Sequence, residues 1–104
     1  TRKRRSIMSV IVIIKRVFRM DQTKKLAPLL KELRALSEKQ PGFISRTTYS
    51  KMSDPGELIV IAEWETADHW AKWMSKKKPK DLQWKIDSII GEKTTFEVFK
   101  PEDF

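Results

Sequence analysis

The stretch Glu57-Leu-Ile-Val-Ile-Ala-Glu-Trp-Glu-Thr-Ala-Asp-His-Trp-Ala-Lys-Trp73 joins an apolar strand pattern to the start of a tryptophan-rich helix. Its first half is mostly apolar, and Thr66 is a residue type that favours the N-cap of a helix. The turn signal Ser53-Asp-Pro-Gly56 lies directly before it, which predicts a hairpin with the preceding segment. The middle of the chain is therefore predicted to run strand, turn, strand and helix.

The first part of the chain predicts a strand followed by an amphipathic helix. Residues 9–18 are rich in β-branched side chains and apolar on both faces, as in a central strand. Pro28 is tolerated only in the first turn of a helix, so the helix is expected to begin near Lys24 and to end before Pro41. Leucines at helical spacing give it one apolar face: Leu26, Leu29, Leu30, Leu33 and Leu36.

A second helical region follows the central stretch. We expect a short helix from Thr66 to about residue 75 and a break at Pro79. A further helical pattern over residues 81–90 ends at Gly91, a residue type that commonly terminates helices. Together these segments form the second helical layer of the predicted fold.

Two further strands complete the order of elements. Residues 43–51 alternate apolar or threonine side chains with polar ones, and residues 94–99 predict the last strand. The order β-α-β-β-α-β within about a hundred residues is the ferredoxin-like plan. The sequence therefore predicts an α+β fold with a four-stranded antiparallel sheet.

Length and composition indicate a single domain of 104 residues, of which 39% are hydrophobic and 35% charged. The absence of cysteine excludes disulfides, thiolate metal sites and cysteine nucleophiles. The longest apolar run, Val10–Ile14, is far shorter than the about 20 residues of a membrane span. No cleavable signal pattern is recognised, so we expect a cytoplasmic protein without a membrane partner.

The formal charge of +8 raises the question of a nucleic-acid partner. Four of the positive charges lie in Thr1-Arg-Lys-Arg-Arg5, and we expect residues 1–7 to form a basic disordered tail ahead of a domain spanning residues 8–104. The second basic cluster, Lys76-Lys-Lys-Pro-Lys80, is expected to be a solvated loop. Since no nucleic-acid-binding motif accompanies either cluster, we do not expect nucleic acid as a partner.

The turn Pro41-Gly42-Phe43 and the helix start Trp64-Glu-Thr66, set in this order of elements, resemble the antibiotic biosynthesis monooxygenase (ABM) family. The resemblance implies protomers that pair as a dimeric α+β barrel. The physical argument agrees, because helices on one side of the sheet leave isoleucine, valine and phenylalanine on its other face, and a large apolar surface is unstable in a monomer. We therefore expect a homodimer formed through the sheet face.

Four tryptophans fall within 21 positions: Trp64, Trp70, Trp73 and Trp84. One interpretation is core packing, because an indole fills the space between helix and sheet. In the haem-degrading branch that the chain also resembles, a tryptophan near Trp73 lies in the ligand cavity. Trp73, Trp70 and Trp84 are therefore candidate substrate-binding residues, with a small aromatic or apolar molecule as the ligand.

The haem-degrading branch uses an Asn–Trp–His set, and only the tryptophan has a counterpart here. The asparagine position falls on Lys15, and the histidine position falls on Gln83 or Trp84. Without an imidazole there, the expected axial iron ligand is missing. Haem binding therefore remains an alternative rather than the main hypothesis, and we expect no cofactor.

His69 is the only histidine, and its ordinary pKa near neutrality suits proton transfer. The alternative is an exposed residue in the first turn of its helix. The carboxylates Glu63, Glu65 and Asp68 lie between a strand end and a helix start, so they are not expected to converge on a metal ion.

Basic residues interrupt the predicted strands at Lys15, Arg16 and Arg46. Burying an unpaired charge is unfavourable, so these groups either pair with acids such as Glu63 or Glu97 or line a wet cavity. In the second case they would stabilise an enolate, phenolate or carboxylate in an apolar site. Hydrogen bonds there are expected from Tyr49, Thr47 and Thr48.

The resemblance implies a cofactor-independent monooxygenase acting on a quinol-like or polyphenolic aromatic. The candidate catalytic residues are His69, Lys15 and Tyr49, and Arg46 joins the tryptophans as a candidate substrate-binding residue. A non-catalytic small-molecule binding or sensing module on the same fold is the alternative from another class, since one fold serves many roles.

Overall fold

The computed structural model describes residues 9–104, and the predicted tail lies outside these residues. The described chain contains four strands and three α-helices in the predicted βαββαβ order, with the last α-element divided in two. The strands are β1 (Val10–Val17), β2 (Phe43–Lys51), β3 (Asp54–Trp64) and β4 (Thr95–Phe99). The helices are α1 (Thr23–Ser37), α2 (Ala67–Ser75) and α3 (Lys77–Ile90), and a 3-10 turn spans Met20–Gln22.

The four strands form one antiparallel sheet in the order β2-β3-β1-β4, which confirms the ferredoxin-like prediction. β1 lies between β3 and β4, as its apolar residues on both faces indicated. The hydrophobic core lies between the sheet and the helices. Its members from both layers are almost fully buried: Val12, Val60, Ala62, Trp64, Leu26, Leu82 and Ile86.

The pleat sends successive residues of β1 to opposite faces of the sheet. Val10, Val12, Ile14 and Arg16 are buried on the face that carries the helices. Their neighbours Ile11, Ile13, Lys15 and Val17 lie on the face that no described helix covers, which we call the outer face. Ile13 pairs there with Ile61, so the centre of the outer face is apolar.

A β-bulge interrupts the pairing of β2 with β3. Phe43 pairs with Trp64 and Ser45 with Glu63, so β2 uses two residues where β3 uses one, and Ile44 is the extra residue. Phe43 and Arg46, three positions apart, consequently pair with Trp64 and Ala62, both of which are buried on the helix side. The bulge therefore turns Arg46 toward the helices.

Two details of the helices differ from the prediction. Pro28 lies in the second turn of α1 rather than in the first, and the helix continues past it because burial of its leucines outweighs the loss of one hydrogen bond. The predicted break at Pro79 occurs instead at Lys76, whose backbone is extended, and Pro79 lies in the first turn of α3. There the missing N–H has no helical partner to lose.

The turn before β2 packs closely against the start of α2. Gly42 has a φ of 85°, and its carbonyl oxygen accepts a hydrogen bond from the Glu65 N–H at 2.7 Å. A Cβ atom added to Gly42 would overlap the imidazole ring of His69. Gly91 has a similar φ of 88°, but open space surrounds its Cα.

We expect Gly42→Ala to lower the free energy of unfolding more than Gly91→Ala. Both variants meet the cost of the left-handed backbone, about 1–2 kcal/mol. Only Gly42→Ala adds a steric overlap, which costs about 1–3 kcal/mol more. Urea unfolding of the two variants measures the difference, and equal losses would show that the contact between the turn and His69 is not rigid.

Candidate functional site

A cavity lies between the helices and the sheet, with about 420 Å³ of free space when its mouth is included. We call it the central cavity. Its enclosed part is narrow, with room for little more than a water molecule. All four strands and all three helices of the described chain contribute to its wall. The members that bear on chemistry are Arg16, Arg46, Ser37, Gln83, Phe43, Trp64, Trp70, Trp73 and Phe96.

Aromatic rings form much of the wall. Trp70 from α2 packs against Phe96 of β4 with ring centroids 6.2 Å apart, and Phe43 meets Trp64 edge to face at 5.5 Å. Trp73 is buried beside them. Of the predicted substrate-binding residues, the structure therefore brings Trp70, Trp73 and Arg46 together at one cavity.

Arg16 places a guanidinium group in this apolar wall. The residue is 3% exposed, and its Nη2 donates to Gln83 Oε1 at 3.0 Å. Its Nε is buried without a hydrogen-bond partner. The pKa of Arg16 is lowered to about 10, mainly by burial and further by the positive charge of Arg46, while the negative charge of Asp87 raises it in part.

The carboxamide of Gln83 is held in a fixed orientation. Its Nε2 donates to Asp87 Oδ1 and to Thr94 Oγ1, both at 2.8 Å. Asp87 Oδ1 also accepts from the Thr94 N–H at 3.2 Å and from the Thr94 hydroxyl at 2.8 Å. Since the amide nitrogen faces Asp87, the amide oxygen faces Arg16.

Arg46 brings a second guanidinium to the central cavity from β2. Its Nη1 donates to Ser37 Oγ at 3.2 Å, and its Nε is buried without a partner. Burial lowers the pKa of Arg46, the charge of Arg34 lowers it further, and Glu38 raises it. Glu38 itself pairs with Arg34 at 3.1 Å.

No carboxylate within residues 9–104 forms a salt bridge with Arg16 or Arg46. The acids suggested from the sequence lie on the outer face. Glu63 accepts a hydrogen bond there from the Ser9 hydroxyl at 2.5 Å, and Glu97 pairs with Ile13. The structure therefore places the two arginines in the wall of the central cavity and pairs neither with a described carboxylate.

Three other predicted residues lie away from the central cavity. Lys15 lies on the outer face, with its Nζ 3.3 Å from a Glu57 carboxylate oxygen. Tyr49 is 54% exposed on the same face, where it pairs with Ile59. Trp84 is 71% exposed on α3. The structure does not bring these side chains to Trp73.

His69 does not line the central cavity. Its backbone N–H donates to Thr66 Oγ1 at 3.1 Å, which makes Thr66 the N-cap of α2 as predicted, and its Nδ1 is 2.7 Å from the same oxygen. A shallow groove contains His69 together with Gln40, Lys72, Lys76 and Trp73. Trp73 lines both this groove and the central cavity.

Within residues 9–104, the structure contains no cluster of histidine and acidic side chains arranged to hold a metal ion. None of the helices in that range has the length and apolar character to cross a membrane.

The sequence profile of the family described as antibiotic biosynthesis monooxygenase matches residues 9–83, which span most of the domain. The chain belongs to this family. The match includes β1, the bulged β2–β3 hairpin and all cavity-lining residues except Phe96. No curated protein matches the chain.

Solved structures share the ABM fold at low sequence identity. A conserved protein from Methanosarcina mazei is 16% identical with a TM-score of 0.88, and the match covers 96% of this chain and 99% of that one. Rv0793 from Mycobacterium tuberculosis is 18% identical with a TM-score of 0.79, and the match covers 92% of this chain and 97% of that one. SnoaB, a cofactor-independent oxygenase from Streptomyces nogalater, is 13% identical with a TM-score of 0.73, and the match covers 92% of this chain and 94% of that one. These similarities establish the fold.

We expect Arg16→Met to keep or raise the stability of the unliganded protein. The substitution removes a buried charge whose depressed pKa corresponds to a few kcal/mol, at about 1.4 kcal/mol per pKa unit. Against this, it leaves the Gln83 oxygen without its donor, which costs about 1–3 kcal/mol. Urea unfolding should show a change between zero and about 2 kcal/mol in the stabilising direction. The exposed Arg19→Met is the matched control and should change stability by less than about 0.5 kcal/mol.

The stability difference between Arg16→Met and wild type should depend on pH. The pKa of Arg16 is lower in the folded state, so above about pH 10 the unfolded chain holds more protons than the folded one. The free energy of unfolding of the wild type therefore rises as the pH rises through that value. Below about pH 10, Arg16 is charged in both the folded and the unfolded state, and the full cost of burying the charge is present. Unfolding curves should show a constant difference from about pH 7 to about pH 9 and a change in favour of the wild type above about pH 10. A change in favour of Arg16→Met there would contradict this account.

Proposed function

We propose that this ABM-family protein is a cofactor-independent monooxygenase that binds a quinol-like or polyphenolic aromatic in the central cavity. The family and the fold support an oxygenase-type function. The main observation behind the proposal is that aromatic rings line the same cavity as two buried guanidinium groups. Neither guanidinium forms a salt bridge with a described carboxylate. Such a wall favours a flat molecule with a negatively charged oxygen.

The proposed reaction balances without a cofactor. A ring CH2 group flanked by phenolic rings becomes a carbonyl; one oxygen atom of O2 enters the substrate, and the other leaves as water with the two hydrogens. The substrate supplies all four electrons. Loss of a phenolic proton makes it electron-rich enough to react with oxygen, so the protein has to stabilise the anion and exclude water.

The residues divide into distinct roles in this proposal. Trp70 and Trp73 hold the rings of the substrate, and Arg16 and Arg46 stabilise the anionic oxygen. Because the enclosed space is narrow, half-buried side chains at the mouth have to move to admit an aromatic molecule. His69 does not line the central cavity, so it could relay a proton between that cavity and solvent only if Trp73 moves. We assign no role in this cavity to Lys15, Tyr49 and Trp84.

The second candidate function is a non-catalytic binding or sensing module. One observation favours it: apart from the two arginines, the described residues of the cavity wall include no histidine, lysine, tyrosine or carboxylate to act as a general base. In that case the cavity would bind the same class of ligand without consuming oxygen. Oxygen uptake distinguishes the two functions.

Oxygen consumption with a polyphenolic ring-CH2 substrate tests the proposed activity. We expect Arg46→Met to lower the rate above the uncatalysed background by about 100-fold, because it removes stabilisation of the developing anion. The matched control Arg19→Met, an exposed arginine paired with Asp21, should leave the rate unchanged. Tight binding without any oxygen uptake by the wild type would remove the oxygenase proposal and favour the binding module.

We also propose that two copies pair through the outer face. Its apolar side chains include Ile13, Ile59, Ile61, Tyr49 and Phe99, and no described helix covers them. A continuous apolar sheet surface is a common interface in symmetric dimers. The same contact would place the central cavities of the two protomers on the outside of a two-layer sheet core.

Sedimentation equilibrium tests the pairing. The wild type should sediment as a dimer at micromolar concentration, and Ile61→Lys should give a monomer, because the lysine places a charge at the centre of the interface. Trp84→Lys is the control, since it places the same charge on the helical side of the protomer. A monomeric wild type would contradict the proposed dimer.

A further inference from the structure

We propose that Arg16 and Arg46 together form a carboxylate-binding site, and that the natural ligand of the central cavity is an aromatic acid. This deepens the proposed function by naming the anionic group of the substrate. It depends on that function only in taking the central cavity as the substrate site. The binding itself can be measured without oxygen.

The first step of the argument is the charge inside the wall. Two guanidinium groups line the same cavity, and each has a buried Nε without a hydrogen-bond partner. Arg16 is almost completely shielded from water. Positive charge without a direct carboxylate partner is unfavourable in such a place, and the two charges also repel one another. An anion bound between them would relieve both effects.

The second step is that nearby carboxylates are occupied elsewhere. Asp87 accepts hydrogen bonds from Gln83 and Thr94, and Glu38 pairs with Arg34. The direct partners of the arginines are a neutral amide, Gln83, and a neutral hydroxyl, Ser37. These contacts orient the guanidinium planes, and the charges of Asp87 and Glu38 offset those of the arginines only in part. Guanidinium groups held in this way form a preorganised anion site.

The third step concerns the identity of the anion. The planar guanidinium fork matches the two oxygens of a carboxylate in a bidentate pair. The rest of the wall is aromatic and apolar, so the ligand needs a flat hydrophobic body attached to that group. Inorganic phosphate has no such body. An aromatic carboxylate meets both requirements.

Isothermal titration calorimetry with 2-naphthoate as the probe and 2-naphthamide as its neutral analogue tests the site. The two molecules share shape and ring system and differ in charge. We expect naphthoate to bind the wild type at least tenfold more tightly than naphthamide. Arg16→Met and Arg46→Met should each remove most of that difference, whereas the surface control Arg19→Met should keep it.

Several results would overturn the proposal. These are equal affinity for acid and amide, undiminished acid binding in both cavity variants, or tighter binding of inorganic phosphate than of naphthoate. If a cavity variant fails to fold, the melting temperature of the wild type with each ligand tests the site instead. Naphthoate should raise that temperature more than naphthamide does. An equal shift from both ligands contradicts the site.

The outcomes also separate this inference from the oxygenase proposal. Arginine-dependent naphthoate binding together with no oxygen uptake from any aromatic substrate leaves the carboxylate site standing and removes the oxygenase. Oxygen uptake with a neutral polyphenol, unaffected by naphthoate as a competitor, keeps the oxygenase and removes the carboxylate site.

Discussion

Adjacent residues of a β-strand project to opposite faces of its sheet, and this alternation decides where the two charges at the end of β1 go. Lys15 lies on the outer face and pairs with Glu57, while Arg16 lies on the inner face under the helices. A register slip of one residue would exchange them and would also move Val12 and Ile14 out of the core. The packing of the core and the position of the buried charge therefore depend on the same pairing.

Under the proposed function, the buried guanidinium groups are retained for ligand binding at the expense of stability. Methionine at position 16 would fit an apolar wall better than arginine, since a depressed pKa means that the folded state disfavours the charge. Ligand sites commonly carry such unfavourable groups, because what destabilises the empty protein stabilises the complex. The proposed reaction without a cofactor would rely on these interactions, since the protein then supplies only binding and electrostatics.

Much of the fold could be predicted from the sequence, but less of the site. The order of elements, the N-cap at Thr66 and the helix end at Gly91 follow from local patterns, and the structure confirms them. The predicted start of α3 is wrong because the sequence does not show whether Pro79 ends one helix or lies in the first turn of the next. Trp73 lies on α2 and Trp84 on α3, and only the tertiary packing determines which face of α3 is buried. The sequence marks Arg16 as an anomalous charge within its strand, but nothing in it ranks Arg16 above Lys15.

Arg46 shows why strand alternation alone could not locate the site. In a regular strand, Phe43 and Arg46 are three residues apart and would face opposite sides, so a core role for Phe43 would place Arg46 on the outer face. The extra residue Ile44 changes this parity, and both side chains face the helices. Bulges have no reliable signature in a single sequence, because they depend on how the partner strand is registered. The second guanidinium of the central cavity is thus positioned by the pairing of β2 with β3, and that pairing is set by the edge-to-face contact of Phe43 with Trp64 at one end and the hairpin turn at the other.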